Sequence, residues 1–542
     1  MSRPILELTS EEALDHFAKS EQYHNYELPE YFNFDKVLSF IRERIADTMF
    51  DDCLKSDPCE ESDVNMDLLL NKDGRYGVRP LTLANPYLYW LLVRELCDEQ
   101  GWQMAHDCFA AYKVDGIESC AMPVVKDEGE EETFHHSVSI LNWWSSFEQR
   151  SLELSLDYRY MFVTDITNCY GSINPQSIDW AFNRKNTKRK TNKYHQSAER
   201  VQRLLRAFQQ GRNIGIPQGS VIFDFLGEFV LGYSDLLLHE RLNKLGIEGY
   251  RILRYRDDYR VFCNDRDVLE RISYELQHIL ESLNLRLNTA KTKISESIIT
   301  DSIKPDKLYD IENTPILNKK GVDFDGIQKH MLYILLFGRK FPNGGQLNRM
   351  LSDLDRRVED WLNGKKTDVN IKNIKVVDSK NKDAVLLEGD LLYTDKERRR
   401  CIKENIMAIA AIGTQIAVEN VAKVHYALRV VSRIVDSIKD LNQKWEIFDK
   451  VCARLINRPN SDYDKIWLQN ITYQRDKLTG DSPYDVKLCQ LVMGKRVKLW
   501  NNDWLLPAFT KGLPMVSICD KKKLKELTPV IRFRETRVYY EL

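Results

Sequence analysis

Two apolar half-strands meet at a pair of adjacent aspartates in the stretch "ILRYRDDYRVF", Ile252 to Phe262. Its aromatic and β-branched content predicts a β-hairpin with Asp257 and Asp258 at the tip. Like charges held side by side repel. Either the pair sits in a solvated turn and does nothing, or it faces a cation. That choice constrains the whole chain, because a cation needs further oxygen ligands from neighbouring strands.

The companions of the pair follow in a definite order. "RYMFVTDITNCYGSI" reads as a buried strand ending at Asp165. A basic stretch and the loop "GIPQGS" come next, then a long apolar helix, "VIFDFLGEFVLGYSDLLLHERL". After the hairpin, Leu269, Ile272, Leu276, Ile279 and Leu283 recur at helical spacing. Strand-like "LRLN" and "KTKI", carrying Lys291 and Lys293, close the unit. Alternation of this kind predicts an α+β layer with helices covering one sheet face. Carboxylates at a strand end and a hairpin tip can converge there and hold two Mg²⁺ or Mn²⁺ ions roughly 3.5 to 4 Å apart. The chemistry expected of that arrangement is attack of a hydroxyl on the α-phosphate of a nucleoside triphosphate.

At these residues the chain resembles the reverse transcriptases. "FVTDITNCYGSI", "IPQGS", "YRDD" and "LNLRLNTAKTKI" look like their four successive polymerase motifs, and "RPLTLANP" is similar to a fingers segment. The resemblance implies a right-hand polymerase core of fingers and palm. It makes Asp165, Asp257 and Asp258 the catalytic carboxylates and metal ligands. Tyr170 matches the aromatic that closes over the sugar 2′ position and so favours deoxynucleotides, while Gln218 and Gly219 pack on the incoming nucleotide. Arg79 matches the arginine that pairs with the triphosphate, a role suited to its planar donor fork. Lys291 or Lys293 helps pyrophosphate leave. Arg256 is a departure: the family more often carries a small or apolar residue there, which puts the ordinary templated mode in doubt.

A chain of 542 residues is too long for one ordinary core. The pattern turns wholly helical beyond about Gly326, with runs such as "GQLNRMLSDLDRRVEDWL" and "VAKVHYALRVVSRIVDSI". This places a reverse transcriptase-like domain at 1–310 and an all-α domain at 311–542, the latter a bundle or a stack of HEAT-like helical repeats. Net charge is −2, so no global basic field advertises nucleic acid. Locally, Arg184 to Arg212 holds ten Lys or Arg against the single acid Glu199. Beside catalytic motifs that run reads as a phosphate-backbone contact, and otherwise as a solvated helix face. Scattered cysteines without paired ligand spacing indicate reduced thiols rather than disulfides or zinc. No apolar run reaches the length of a membrane span, and the expected location is cytoplasmic.

A reverse transcriptase core followed by about two hundred residues of helices looks most like the abortive-infection and defence-associated reverse transcriptases of bacteria, the AbiK-like group. That resemblance implies an anti-phage DNA polymerase that works without a conventional template, primes from a protein hydroxyl and assembles as a trimer or hexamer. The implied partners are dNTPs, the DNA product and a non-coding RNA. Tyr426, Tyr463, Tyr473, Tyr484, Tyr539 and Tyr540 are candidate priming hydroxyls, each equally readable as a packing residue. Two alternatives stand beside this. One is a retron- or intron-like enzyme copying a partner RNA, and the other is a nucleic acid binding scaffold with a vestigial polymerase core.

Overall fold

The computed structural model describes residues 2–71, 77–126, 147–184, 194–313, 327–363, 375–376, 385–386, 405–513 and 517–536. Among the described residues nine strands precede residue 300: β1 (Ser2–Pro4), β2 (Met66–Asn71), β3 (Val78–Leu83), β4 (Ile117–Ser119), β5 (Val124–Lys126), β6 (Tyr160–Asp165), β7 (Tyr250–Tyr255), β8 (Asp258–Cys263) and β9 (Lys293–Ser295). Five of them form the central sheet in the order β4-β7-β8-β6-β9. All its pairs are antiparallel except β4 with β7.

Both faces of this sheet are covered, which explains why its strands read as continuous apolar runs. Side chains alternate across it. Phe162, Ile252, Tyr259, Val261 and Cys263 join the main core beneath the helix Val221–Lys244 and the helix Arg266–Ser282. Met161, Leu253, Tyr255 and Phe262 join a second cluster with Cys120, Phe147, Leu154 and Ile298 on the other face. Helix Val221–Lys244 is apolar nearly all round because it is buried nearly all round. Helix Arg266–Ser282 is amphipathic and is capped by Asp265, which accepts from the amides of Asp267 and Val268. Its buried stripe is Leu269, Ile272, Leu276 and Leu280; Leu280 replaces the expected Ile279, which is only partly buried.

β2 and β3 make a separate hairpin. Sequence reading placed short helical patterns and acidic loops before about Asn71 and missed β2, although "MDLLLN" alternates buried and exposed positions through its first five residues. The expected strand "LRLN" is reduced to a single bridge between Leu287 and Ile166. Asn85 ends the hairpin and caps the helix Pro86–Cys97, accepting from the amides of Tyr87 and Leu88.

Beyond residue 326 the helices Ile327–Lys340, Gln346–Asn363, Ile406–Glu419, Val424–Asp436, Leu441–Ile456 and Asp462–Thr479 match the periodic runs. Among the described residues no single helix is long and apolar enough to cross a membrane. The helical region does not stand apart from the rest. Leu70 of β2 bridges to Ser461, and the Asn71 side chain donates to the carbonyl of Pro459 at 3.0 Å. The chain then returns to its own N-terminal part: Lys55 N donates to the Trp504 carbonyl at 2.7 Å, Asn33 N to Ile518 at 2.9 Å, and Trp500 Nε1 to Leu83 at 3.2 Å. One continuous apolar core accordingly runs from Ile5 to Ile531. The region around the expected boundary at 310 holds the helix Pro305–Asn313, and residues 314–326 lie outside the described ones.

Trp504 is fully buried in that shared core. Trp504→Ala is expected to cost about 3 to 5 kcal/mol of unfolding free energy. Denaturant unfolding followed by circular dichroism checks it, and a loss below about 1 kcal/mol would mean that the returning segment is not part of the core.

Candidate active site

Strand register assembles the site. Asp165, the last residue of β6, lies directly opposite Asp258, the first residue of β8. Tyr255 pairs with Asp258, so Arg256 and Asp257 form a two-residue turn. Arg256 takes the left-handed φ of +53° that such a tight turn requires. Ile166 N donates to the Asp257 carbonyl at 3.1 Å, fastening the turn to the end of β6. By the alternation of the strands, Asp165 and Asp258 share the face of Met161, Val163 and Phe262, away from helix Val221–Lys244.

Asp165 is buried and its two carboxylate oxygens differ: Oδ2 lies 2.5 Å from Lys291 Nζ, whereas Oδ1 is buried without a hydrogen-bond partner. Burial, followed by the neighbouring charges of Asp257 and Asp165, pushes the Asp258 carboxyl up to about 7. Asp257 is raised for the same reasons, burial first and then Asp165. Among the described residues no three His, Cys, Asp or Glu side chains are already drawn together at coordinating distance. The donor set nevertheless suits a hard divalent cation. It is all oxygen, its members repel one another, and one buried oxygen still needs a partner.

The other expected site residues fall as follows. Lys291 reaches Asp165 because Asn288 N donates to the Asp165 carbonyl at 2.8 Å and lays this segment against β6. Lys293 pairs instead with Asp301 at 2.6 Å, so of the two lysines it is Lys291 that lies at Asp165. Tyr170 ties the first motif to the second, its carbonyl accepting from Ile216 N at 2.9 Å. The Gln218 carbonyl accepts from Thr82 N at 2.7 Å, joining the loop to the β2–β3 hairpin. Gly219 sits at φ +140°, and a Cβ there would lie 2.6 Å from the Thr82 carbonyl, so this position needs glycine for close backbone packing. Arg79 is exposed on β3 opposite Leu70. In the basic stretch, Arg200 and Arg203 are held by Glu95 and Asp51, while 185–193 lie outside the described residues.

Sequence reading missed the charges behind the hairpin. Arg254, 1% exposed, donates to Asp235 at 2.8 Å, to Glu228 at 2.9 Å and to the Arg256 carbonyl at 3.3 Å. Arg256 donates to Asp224 at 2.9 Å. These three acids belong to the apolar helix Val221–Lys244. On the opposite face Arg260 is buried two residues from Asp258, donating to Ser151 at 2.7 Å and to the Ser302 carbonyl at 2.9 Å. A usable signal was present: charges inside so apolar a helix must be paired.

Residues 118–328 match the family model described as "Reverse transcriptase (RNA-dependent DNA polymerase)". This stretch is a reverse transcriptase domain. It contains Asp165, Asp257 and Asp258, and its fold is that of the right-hand polymerases. Among solved structures, apo telomerase from Candida tropicalis aligns at 11% identity over 78% of this chain and 74% of that one, with a TM-score of 0.32. Telomerase from Candida albicans in complex with the TWJ fragment of telomeric RNA aligns at 11% identity over 76% and 69%, with a TM-score of 0.29. No curated protein matches the chain.

The raised Asp258 carboxyl makes a stability prediction. The unfolded chain gives up this proton near pH 4 and the folded protein near 7, so stability falls as pH rises between those values. Because the side chain is only half-buried, water screens part of the effect. Asp258→Asn, held in chelator at pH 8, is therefore expected to gain about 1 to 2 kcal/mol, and the gain should shrink at pH 5. Thermal melts at both pH values check this, and an unchanged midpoint at pH 8 would mean that Asp258 is well solvated.

Proposed function

We propose that this protein is a divalent-metal-dependent DNA polymerase of the reverse transcriptase type. The observation that carries the reading is the in-register pairing of Asp165 with Asp258, with Asp257 in the adjoining turn and an unpartnered buried oxygen on Asp165. A cation held by these carboxylates would stabilise charge on the α-phosphate. Lys291, whose ammonium lies 2.5 Å from Asp165, would meet the departing pyrophosphate. Tyr170 supports a preference for deoxynucleotides through its match to the family's sugar-facing aromatic.

The biological setting proposed is bacterial anti-phage defence by abortive infection, in the cytoplasm, through untemplated and protein-primed DNA synthesis by a homo-trimer or hexamer. It is supported by the resemblance of the motifs and of the helices that follow them to the AbiK-like group. A division into 1–310 and 311–542, with HEAT-like helical repeats in the second part, belongs to the same proposal. Of the candidate priming hydroxyls, Tyr426, Tyr463, Tyr473 and Tyr484 are buried. The Tyr426 hydroxyl donates to Glu27 at 3.1 Å and that of Tyr463 to the Glu27 carbonyl at 3.0 Å, so both serve packing. Tyr539 and Tyr540 lie outside the described residues. The matched family's description favours a second reading, in which a bound RNA is copied.

Incorporation of labelled dNTPs and NTPs by the purified full chain with Mg²⁺ and no added template tests these readings, beside Asp257→Asn/Asp258→Asn. The double variant is expected to lose incorporation by 10³-fold or more. Label that migrates with the protein until protease releases it, and that survives ribonuclease, is the outcome expected for untemplated protein priming. Label abolished by prior ribonuclease would replace it with RNA copying. Full incorporation by the double variant would overturn the polymerase reading itself.

A further inference from the structure

The ion pair between Arg256 and Asp224 lies beside Tyr170, not out in solvent. Asp224 is in the first turn of helix Val221–Lys244 and is 6% exposed. Its Oδ2 accepts from Arg256 at 2.9 Å and from Asn25 Nδ2 at 3.0 Å. The Tyr170 ring packs on the same helix three residues further on, at Gly227, and burial together with the Asp224 charge pushes its phenol up. A Cβ at Gly227 would meet ring carbon Cε1 at 3.6 Å, an ordinary contact. The Tyr170 carbonyl is fixed through Ile216 N at 2.9 Å.

The backbone of Tyr170 is thus pinned, and its ring lies against the helix at Gly227 with its polar end toward Asp224. Asp224 in turn is held by a guanidinium that belongs to the turn carrying Asp257. One chain of contacts therefore runs from the catalytic turn to the side chain that faces the sugar. Arg256 keeps 25% of its side chain accessible, so the pair borders the site rather than the deep core.

We propose that Asp224 and Arg256 are positioning residues that set the sugar selectivity of the site by holding Tyr170 against the nucleotide 2′ position. The proposal rests on the polymerase reading above and adds the devices that fix the gate. It also gives the unusual residue at position 256 a task that a small or apolar side chain could not perform, since the buried Asp224, which also accepts from the neutral Asn25 amide, draws its counter-charge from Arg256.

The test is the ratio of kcat/KM for dNTP to that for NTP in the full-length protein with Mg²⁺. It compares wild type with Tyr170→Ala, Tyr170→Phe, Arg256→Lys and the double variant Asp224→Asn/Arg256→Met. The double variant removes both charges together and so leaves no buried charge unpaired. Tyr170→Ala is expected to lower the ratio about 100-fold, the worth of excluding one hydroxyl from a fitted pocket. Tyr170→Phe and the double variant are expected to lower it about 10-fold, mainly through better use of NTP, and Arg256→Lys should keep most of it. An unchanged ratio in both Tyr170→Phe and the double variant, with Tyr170→Ala still shifted, would overturn the positioning role and leave the polymerase reading intact. Wild-type protein that incorporates neither nucleotide, with or without an added primed template, would overturn both.

Discussion

Three carboxylates that repel one another must be held at one point for this site to exist, and most of the surrounding structure answers that demand. The hairpin carrying Asp257 and Asp258 is a strained place to concentrate charge, since its turn already needs a left-handed Arg256. Arginines placed by strand alternation hold it from both sides. Arg254 points into helix Val221–Lys244 and grips Glu228 and Asp235, while Arg260 points the other way and lies beneath Asp258. Arg256 closes the turn onto Asp224. Acid and base are thus layered behind the hairpin, Arg254 against Glu228 and Asp235 and Arg256 against Asp224, while on the other face Lys291 meets Asp165.

The second dependence is on the far end of the chain. The β2–β3 hairpin, which carries Arg79 and meets Gln218 and Gly219, is held by residues 459–462 of the helical region and by Trp500. Glu27 gathers His425 at 2.8 Å together with the hydroxyls of Tyr426 and Tyr463 a few residues from Asn25, which itself contacts Asp224. The helical region therefore bears on the nucleotide side of the site through packing. A change far along the sequence, such as loss of the Ser461 bridge, has a physical route to the chemistry.

The fold of the polymerase-like core was legible because its signals are local. A continuous apolar run ending in an acid, an aromatic before paired aspartates, and a glycine where backbones touch are each dictated by a few neighbouring positions. Less was legible where partners are distant. Lys291 and Lys293 are equivalent in sequence, and only the fold turns one to Asp165 and the other to Asp301. Arg256 read as an anomaly until Asp224, an ordinary-looking acid in an apolar helix, was brought to it.

By itself the sequence determined the alternating strands and helices, the order of the motifs, the three carboxylates and the helical character of the second half, since periodicity and local charge suffice for these. Tertiary structure alone decided which cation meets which acid and that Trp500, Trp504, Ile518 and Ile531 complete the first core. It also decided that four of the candidate tyrosines are buried. Pairing of buried charges and sharing of a core are contacts between residues hundreds of positions apart, as with Lys55 and Trp504 or Asn25 and Asp224. Their partners are chosen by where the folded chain brings them, which no local pattern encodes.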